Sequence, residues 1–190
     1  GRWYIINELV CFDMGVMRFS ELLRGEIAKY YKNFDINIYG DPAGDFRSQT
    51  DEKTPFQIMR NYGLKALPAP SNDVALRIES VDAALQRLLD GKAGFLLDNK
   101  CINLKKGFNG GYHYRRLQTS GDRYDEKPFK NRYSHVHDAL QYLMMGAGEG
   151  RSLLSGRSQS KPTIAKKEWD VFAGQKRKVR KVWDLFKRNG

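Results

Sequence analysis

Short apolar runs alternate along this chain with stretches whose apolar residues recur every three or four positions, and that alternation limits the possible folds more than any other feature. Residues 3–12 are rich in aromatic and β-branched side chains and read as a long strand. Shorter strand-like runs lie at 36–39, 64–67 and 94–98. Between the first two, Phe19, Leu22, Leu23, Ile27, Tyr30 and Tyr31 keep helical spacing, with Ser20 and Glu21 as the start signal and Asn33 as the end. Thr54-Pro55 pairs an N-cap with proline at the first helical position, which predicts a helix ending near Gly63. Asn72 or Asp73 can cap the next helix, with Ile78, Val81, Leu85 and Leu88 inward and Gly91 as its C-terminal stop. A hairpin strand follows at 112–118 with a turn at Ser120-Gly121-Asp122, and Ser134 can cap a last helix that turns Val136, Ala139, Leu140 and Leu143 inward. The order predicts an α/β fold, a mixed sheet flanked by helices.

Charge divides the chain of 190 residues unevenly. Residues 151–190 carry 12 basic and 3 acidic side chains, whereas residues 1–150 carry 21 and 19. A nearly balanced body at 1–147 and a basic, flexible tail at 148–190 are expected, and such a tail attracts polyanions, most often nucleic acid. Lys176, Arg177, Lys178, Arg180 and Lys181 are its densest cluster, beside Val182, Trp183, Leu185 and Phe186. Two cysteines, Cys11 and Cys101, make neither a disulfide framework nor a zinc site, so a reduced, intracellular setting is expected. No apolar run has the length of a membrane helix. The P-loop, dinucleotide-binding and serine-nucleophile glycine motifs do not occur.

Three places carry candidate chemistry. Asp41, in Gly40-Asp41-Pro42-Ala43-Gly44, stands at the C-terminal end of an apolar strand, where it suits either metal binding or a simple Asx-turn. His135 and Asp138 are three apart on the first turns of the last helix and so share a face; Asp138 borders the inward stripe and needs a partner there, for which a metal ion would serve. Glu8 interrupts an otherwise apolar face of the first strand, as a metal neighbour or as one half of an ion pair. Arg47, in the acidic and polar loop after Asp41, could hold a phosphate. Carboxylates on strands and a helix favour hard divalent ions, Mg²⁺ or Mn²⁺; two such ions about 3.5–4 Å apart can clamp a phosphodiester.

Taken in order, Glu8-Leu9-Val10, Asp13-Met14-Gly15, Gly40-Asp41-Pro42-Ala43-Gly44, Pro68-Ala69-Pro70-Ser71-Asn72, Gly110-Gly111-Tyr112 and residues 130–143, with their Ser134-His135 and Asp138-Ala139-Leu140-Gln141-Tyr142, resemble the C-terminal nuclease domain of tailed-phage terminase large subunits. The resemblance implies an RNase H-like fold and a metal-dependent endonuclease that cuts concatemeric double-stranded viral DNA with two ions. It implies Asp41, Asp138 and His135 as catalytic residues, Asp41, Asp138 and Glu8 about the metal, and Arg47, Lys130 and the tail cluster on DNA. The implied partners are the portal protein, the small terminase subunit and an upstream ATPase domain, in the cytoplasm of an infected bacterium and transiently at the procapsid portal. The family's first-strand Asp has no counterpart among these residues, which implies a fragment lacking that strand. Two other classes stay open: a non-catalytic DNA-binding or motor-docking module, and a resolvase- or transposase-like nuclease on the same fold.

Overall fold

Five α-helices and eight short strands are formed by the residues that the computed structural model describes, 1–45, 53–117 and 123–150. The chain is mixed α/β. In order it runs β1 (Trp3–Ile5), α1 (Val16–Tyr30), β2 (Ile38–Gly40), a 3₁₀ turn (Pro42–Asp45), α2 (Pro55–Asn61), β3 (Ala66–Pro68), α3 (Val74–Gln86), β4 (Leu88–Leu89), β5 (Lys92–Ala93), β6 (Phe95–Leu97), α4 (Ile102–Lys106), β7 (Tyr114–Arg116), β8 (Tyr124–Pro128) and α5 (Ser134–Gly146). No helix among the described residues is long and apolar enough to cross a membrane.

The described strands form four two-stranded pairs instead of one continuous sheet. β1 runs parallel to β6 and β2 parallel to β3; β4–β5 and β7–β8 are antiparallel. The first strand is much shorter than residues 3–12: pairing with β6 ends at Ile5 opposite Leu97, and the following backbone leaves the ladder. Gly91 does not stop α3. It shares with Asp90 the two-residue turn of the β4–β5 hairpin, both at positive φ (71° and 52°), the geometry such a tight turn demands. The turn expected at 120–122 lies outside the described residues.

Local signals explain the starts of three helices. Thr54 and Gln57 close a reciprocal capping box on α2, and Asp73 accepts from the Leu76 N–H at 3.1 Å to start α3. α1 begins earlier than Ser20, which sits inside the helix with its hydroxyl donating to the Val16 carbonyl at 2.7 Å. Ser134 is not the cap of α5. Asn131 caps the helix instead, since its Oδ1 accepts from the Tyr133 and Ser134 N–H groups at 2.8 and 3.2 Å.

α5 holds the described body together. Leu140 and Met144 join Ile5 of β1, Phe95 of β6, Val81 and Ala84 of α3, and Cys101 and Leu104 in one buried cluster; Tyr142 and Met145 join Ala69 and Leu76 in a second. His137, on another face of α5 than His135 and Asp138, is buried. It stacks on Tyr112 with ring centroids 4.8 Å apart and meets the edge of Phe108, while its Nε2 faces the Leu104 carbonyl at 3.2 Å. A carbonyl only accepts, so Nε2 carries the proton, and burial lowers the imidazole pKa below its usual value and keeps the ring neutral.

A polar clasp joins the first strand to the residues after α5. Arg87, at the C-terminus of α3, donates to both oxygens of Glu149 at 2.7 and 2.6 Å and to the Gly1 carbonyl at 3.0 Å, and the Trp3 indole donates to Glu149 at 2.6 Å. Hydrogen bonding from Arg87 holds the Glu149 pKa below its ordinary value, although burial opposes it. A depressed carboxylate pKa gives stability that is complete above the unfolded-state pKa and is lost as pH falls through the folded value. Arg87→Met should therefore lower stability by about 1–2 kcal/mol near neutral pH and by progressively less in acid. Urea melts at pH 7 and pH 3.5 check this; an equal loss at both would show that Glu149 adds no pH-dependent stability.

Candidate functional site

Asp41 and Asp138, far apart in sequence, line the same cleft of about 630 Å³. Asp41 follows β2, whose parallel pairing with β3 ends at Gly40 opposite Pro68. Its Oδ1 accepts from the Ala43 N–H at 2.9 Å, so the Asx-turn and the cleft position coexist at one residue. Gly40 and Gly44 make room for the Phe56 ring: a Cβ on either would lie 3.2–3.3 Å from it. The glycines thus let α2 pack beneath the Asp41 turn.

Asp138 sits on the second turn of α5 with its side chain 16% exposed. Its Oδ1 meets Arg77 Nη1 at 3.4 Å and its Oδ2 meets Lys130 Nζ. Arg77 comes from the buried face of α3 and lays its guanidinium over the Tyr142 ring, 4.4 Å from the centroid. Its Nε is buried without a hydrogen-bond partner. The Tyr142 hydroxyl donates to Asn72 Oδ1 at 2.6 Å. Burial first, and the Asp41 carboxylate second, push its pKa well up, so Tyr142 is a neutral donor at this site. Tyr112, also on the cleft, accepts from Gln141 Nε2 at 2.8 Å, and burial raises its pKa too.

Of the residues expected from sequence, the fold gathers Asp41, Asp138, His135 and Lys130 on this one cleft. It does not gather Glu8. The Glu8 carboxylate is committed to the start of α4, where it accepts from the Asn103 and Leu104 backbone N–H groups at 2.7 and 3.0 Å and from Asn103 Nδ2 at 2.9 Å. A carboxylate at a helix start satisfies otherwise unpaired N–H groups and faces the positive end of the helix dipole, so its place is structural. Glu8→Gln should cost about 1–3 kcal/mol in urea unfolding and leave divalent-ion affinity of the cleft unchanged; a loss of ion affinity with intact stability would return Glu8 to the site. Arg47 and the tail cluster Lys176, Arg177, Lys178, Arg180 and Lys181 lie outside the described residues.

Sequence reasoning missed Arg77, Asn72, Tyr112, Lys127 and Tyr142 as cleft residues. For Arg77 a signal existed, since it precedes Val81 by four positions and so interrupts the buried stripe of α3 with a charge.

The donor set bears on metal binding directly. Mg²⁺ is commonly held by one or two carboxylates while keeping several waters, and Asp41 and Asp138 are the two carboxylates that this cleft offers for such an ion. Among the described residues no group of three or more His, Cys, Asp or Glu side chains is gathered as a metal site, and a second ion would draw on donors outside that set. Arg77, Lys127 and Lys130 give the same cleft positive charge for an anionic ligand. Comparison of the chain with protein-family models, curated proteins and solved structures returned no match, so the chemistry of this cleft carries the functional argument.

Proposed function

We propose that this chain is a divalent-metal-dependent endonuclease domain of the RNase H-like class, cutting double-stranded DNA in the manner of the nuclease of a viral packaging terminase. The observation that carries it is the meeting of Asp41 and Asp138 in one cleft that also holds His135, Arg77, Lys127 and Lys130. Asp41 and Asp138 would hold a Mg²⁺ or Mn²⁺ ion, and the chemistry such an ion would supply is activation of water and neutralisation of charge on a phosphodiester. The chain's own cations position the phosphate, and His135 on the same helix face as Asp138 orients the substrate or assists proton movement. The basic tail adds counterion-releasing affinity for DNA. A portal protein, a small terminase subunit and an upstream ATPase domain are the partners of such a domain, in the cytoplasm of an infected bacterium.

One observation favours a second reading. Both Asp138 oxygens are already paired with cations, as befits a cleft that grips a phosphate backbone without cutting it. Incubation of the full chain with supercoiled plasmid, with Mg²⁺, with Mn²⁺ and with a chelator, separates the two. Conversion to nicked and linear DNA that the chelator stops supports the nuclease. Retarded but uncut plasmid under every metal condition supports the non-catalytic module.

A further inference from the structure

Asp138 has two cationic partners of opposite character. Arg77 is held: its side chain is 6% exposed and stacked on Tyr142. Lys130 is 67% exposed and approaches from the loop before α5. An ion pair with one partner that exposed contributes about 0–1 kcal/mol, so Lys130 can leave at little cost. The ammonium sits on Oδ2, while Oδ1 is occupied by Arg77, so an incoming cation must displace one of the two.

From this asymmetry we infer that Lys130 is an exchangeable internal cation: it holds Asp138 Oδ2 until a divalent ion takes that oxygen, and is then released within the cleft to face the anionic ligand. The inference rests on the metal reading of the cleft and adds a positioning residue to it. A dication outcompetes a single ammonium at a carboxylate, because the Coulomb attraction doubles while the displaced pair is a weak one. Arg77 stays throughout and keeps its contact with Asp138 Oδ1 whether or not Lys130 is present. No covalent step is involved; one cation replaces another.

The test needs no catalysis. Mn²⁺ binding to the full chain is measured calorimetrically at fixed ionic strength for the wild type, Lys130→Met, Lys130→Gln and Asp138→Asn, with folding of each checked by circular dichroism. Removing a competitor worth up to about 1 kcal/mol should tighten Mn²⁺ binding by about 2–5-fold in both Lys130 variants. In parallel, amine acylation is followed residue by residue by mass spectrometry. Lys130 should become several-fold more reactive when Mn²⁺ is added, with Lys127, which lines the same cleft, as the internal reference. Wild-type binding that Asp138→Asn abolishes, with unchanged affinity in the Lys130 variants or unchanged Lys130 acylation, overturns the exchange alone. No Mn²⁺ binding by any of the proteins overturns the metal reading and the exchange with it.

Discussion

Asp138→Asn should abolish divalent-dependent DNA cleavage, a fall of at least about a hundredfold, because the metal's charge stabilisation is worth several kcal/mol and each 1.36 kcal/mol is a factor of ten in rate. The substitution keeps the shape of the side chain and removes its charge. It also acts on the fold: Arg77, buried beside it, loses its counter-ion but keeps an amide oxygen to donate to. A stability loss of about 1–3 kcal/mol is expected, well short of unfolding the domain. Asp41→Asn should lose cleavage as severely with a smaller stability loss, since the Arg77–Asp138 pair stays intact. Plasmid cleavage and urea melts on the same preparations give both readouts. Undiminished cleavage by Asp138→Asn would reduce Asp138 to a counter-ion for Arg77.

The largest expected stability effect lies behind the cleft, at Gly107. An added Cβ there would stand 1.8 Å from His137 Nε2 and 2.4 Å from Cδ2. His137 cannot retreat, since Tyr112 covers one face of the ring and Phe108 meets it edge-on. Gly107→Ala must therefore break the Nε2–H bond to the Leu104 carbonyl and repack two aromatic rings, at about 2–4 kcal/mol. Ordinary helix propensity would give the opposite sign, since alanine is favoured over glycine by about 1 kcal/mol inside a helix. Gly25→Ala, in α1 with open space where the Cβ would go, isolates that propensity and should be neutral or mildly stabilising. Similar melting behaviour in the two variants would show that the His137 pocket gives way.

These two positions also show what the sequence could and could not disclose. Asp41 and Asp138 are legible because each breaks a pattern: an acid where an apolar strand ends, and an acid beside an apolar helical stripe. Glu8 breaks a pattern too, but the alternation around it belongs to no strand, since β1 stops at Ile5, and the partners that explain it, the N–H groups of Asn103 and Leu104, lie far along the chain. His137 shares its helical face with Leu140, Gln141 and Met144, so its burial follows from the spacing on α5. Its partners do not, since Tyr112 and Phe108 come from the segment before β7. Capping chemistry is local, so the start of α2 is readable at Thr54, whereas the start of α5 hides behind Asn131, three residues upstream of the expected cap. Strand pairing is the least legible feature. The β1–β6 and β2–β3 pairs join segments separated by whole helices, and short strands carry too few residues to advertise their neighbours.

The Arg87 clasp ties together parts of the chain that are far apart in sequence. One guanidinium touches both the carbonyl of Gly1 and the carboxylate of Glu149, so residues 1 and 149 are held side by side. The Trp3 indole on the same carboxylate carries that hold into β1, so loosening the segment after α5 should be felt at the β1–β6 pair, on the opposite side of the sequence.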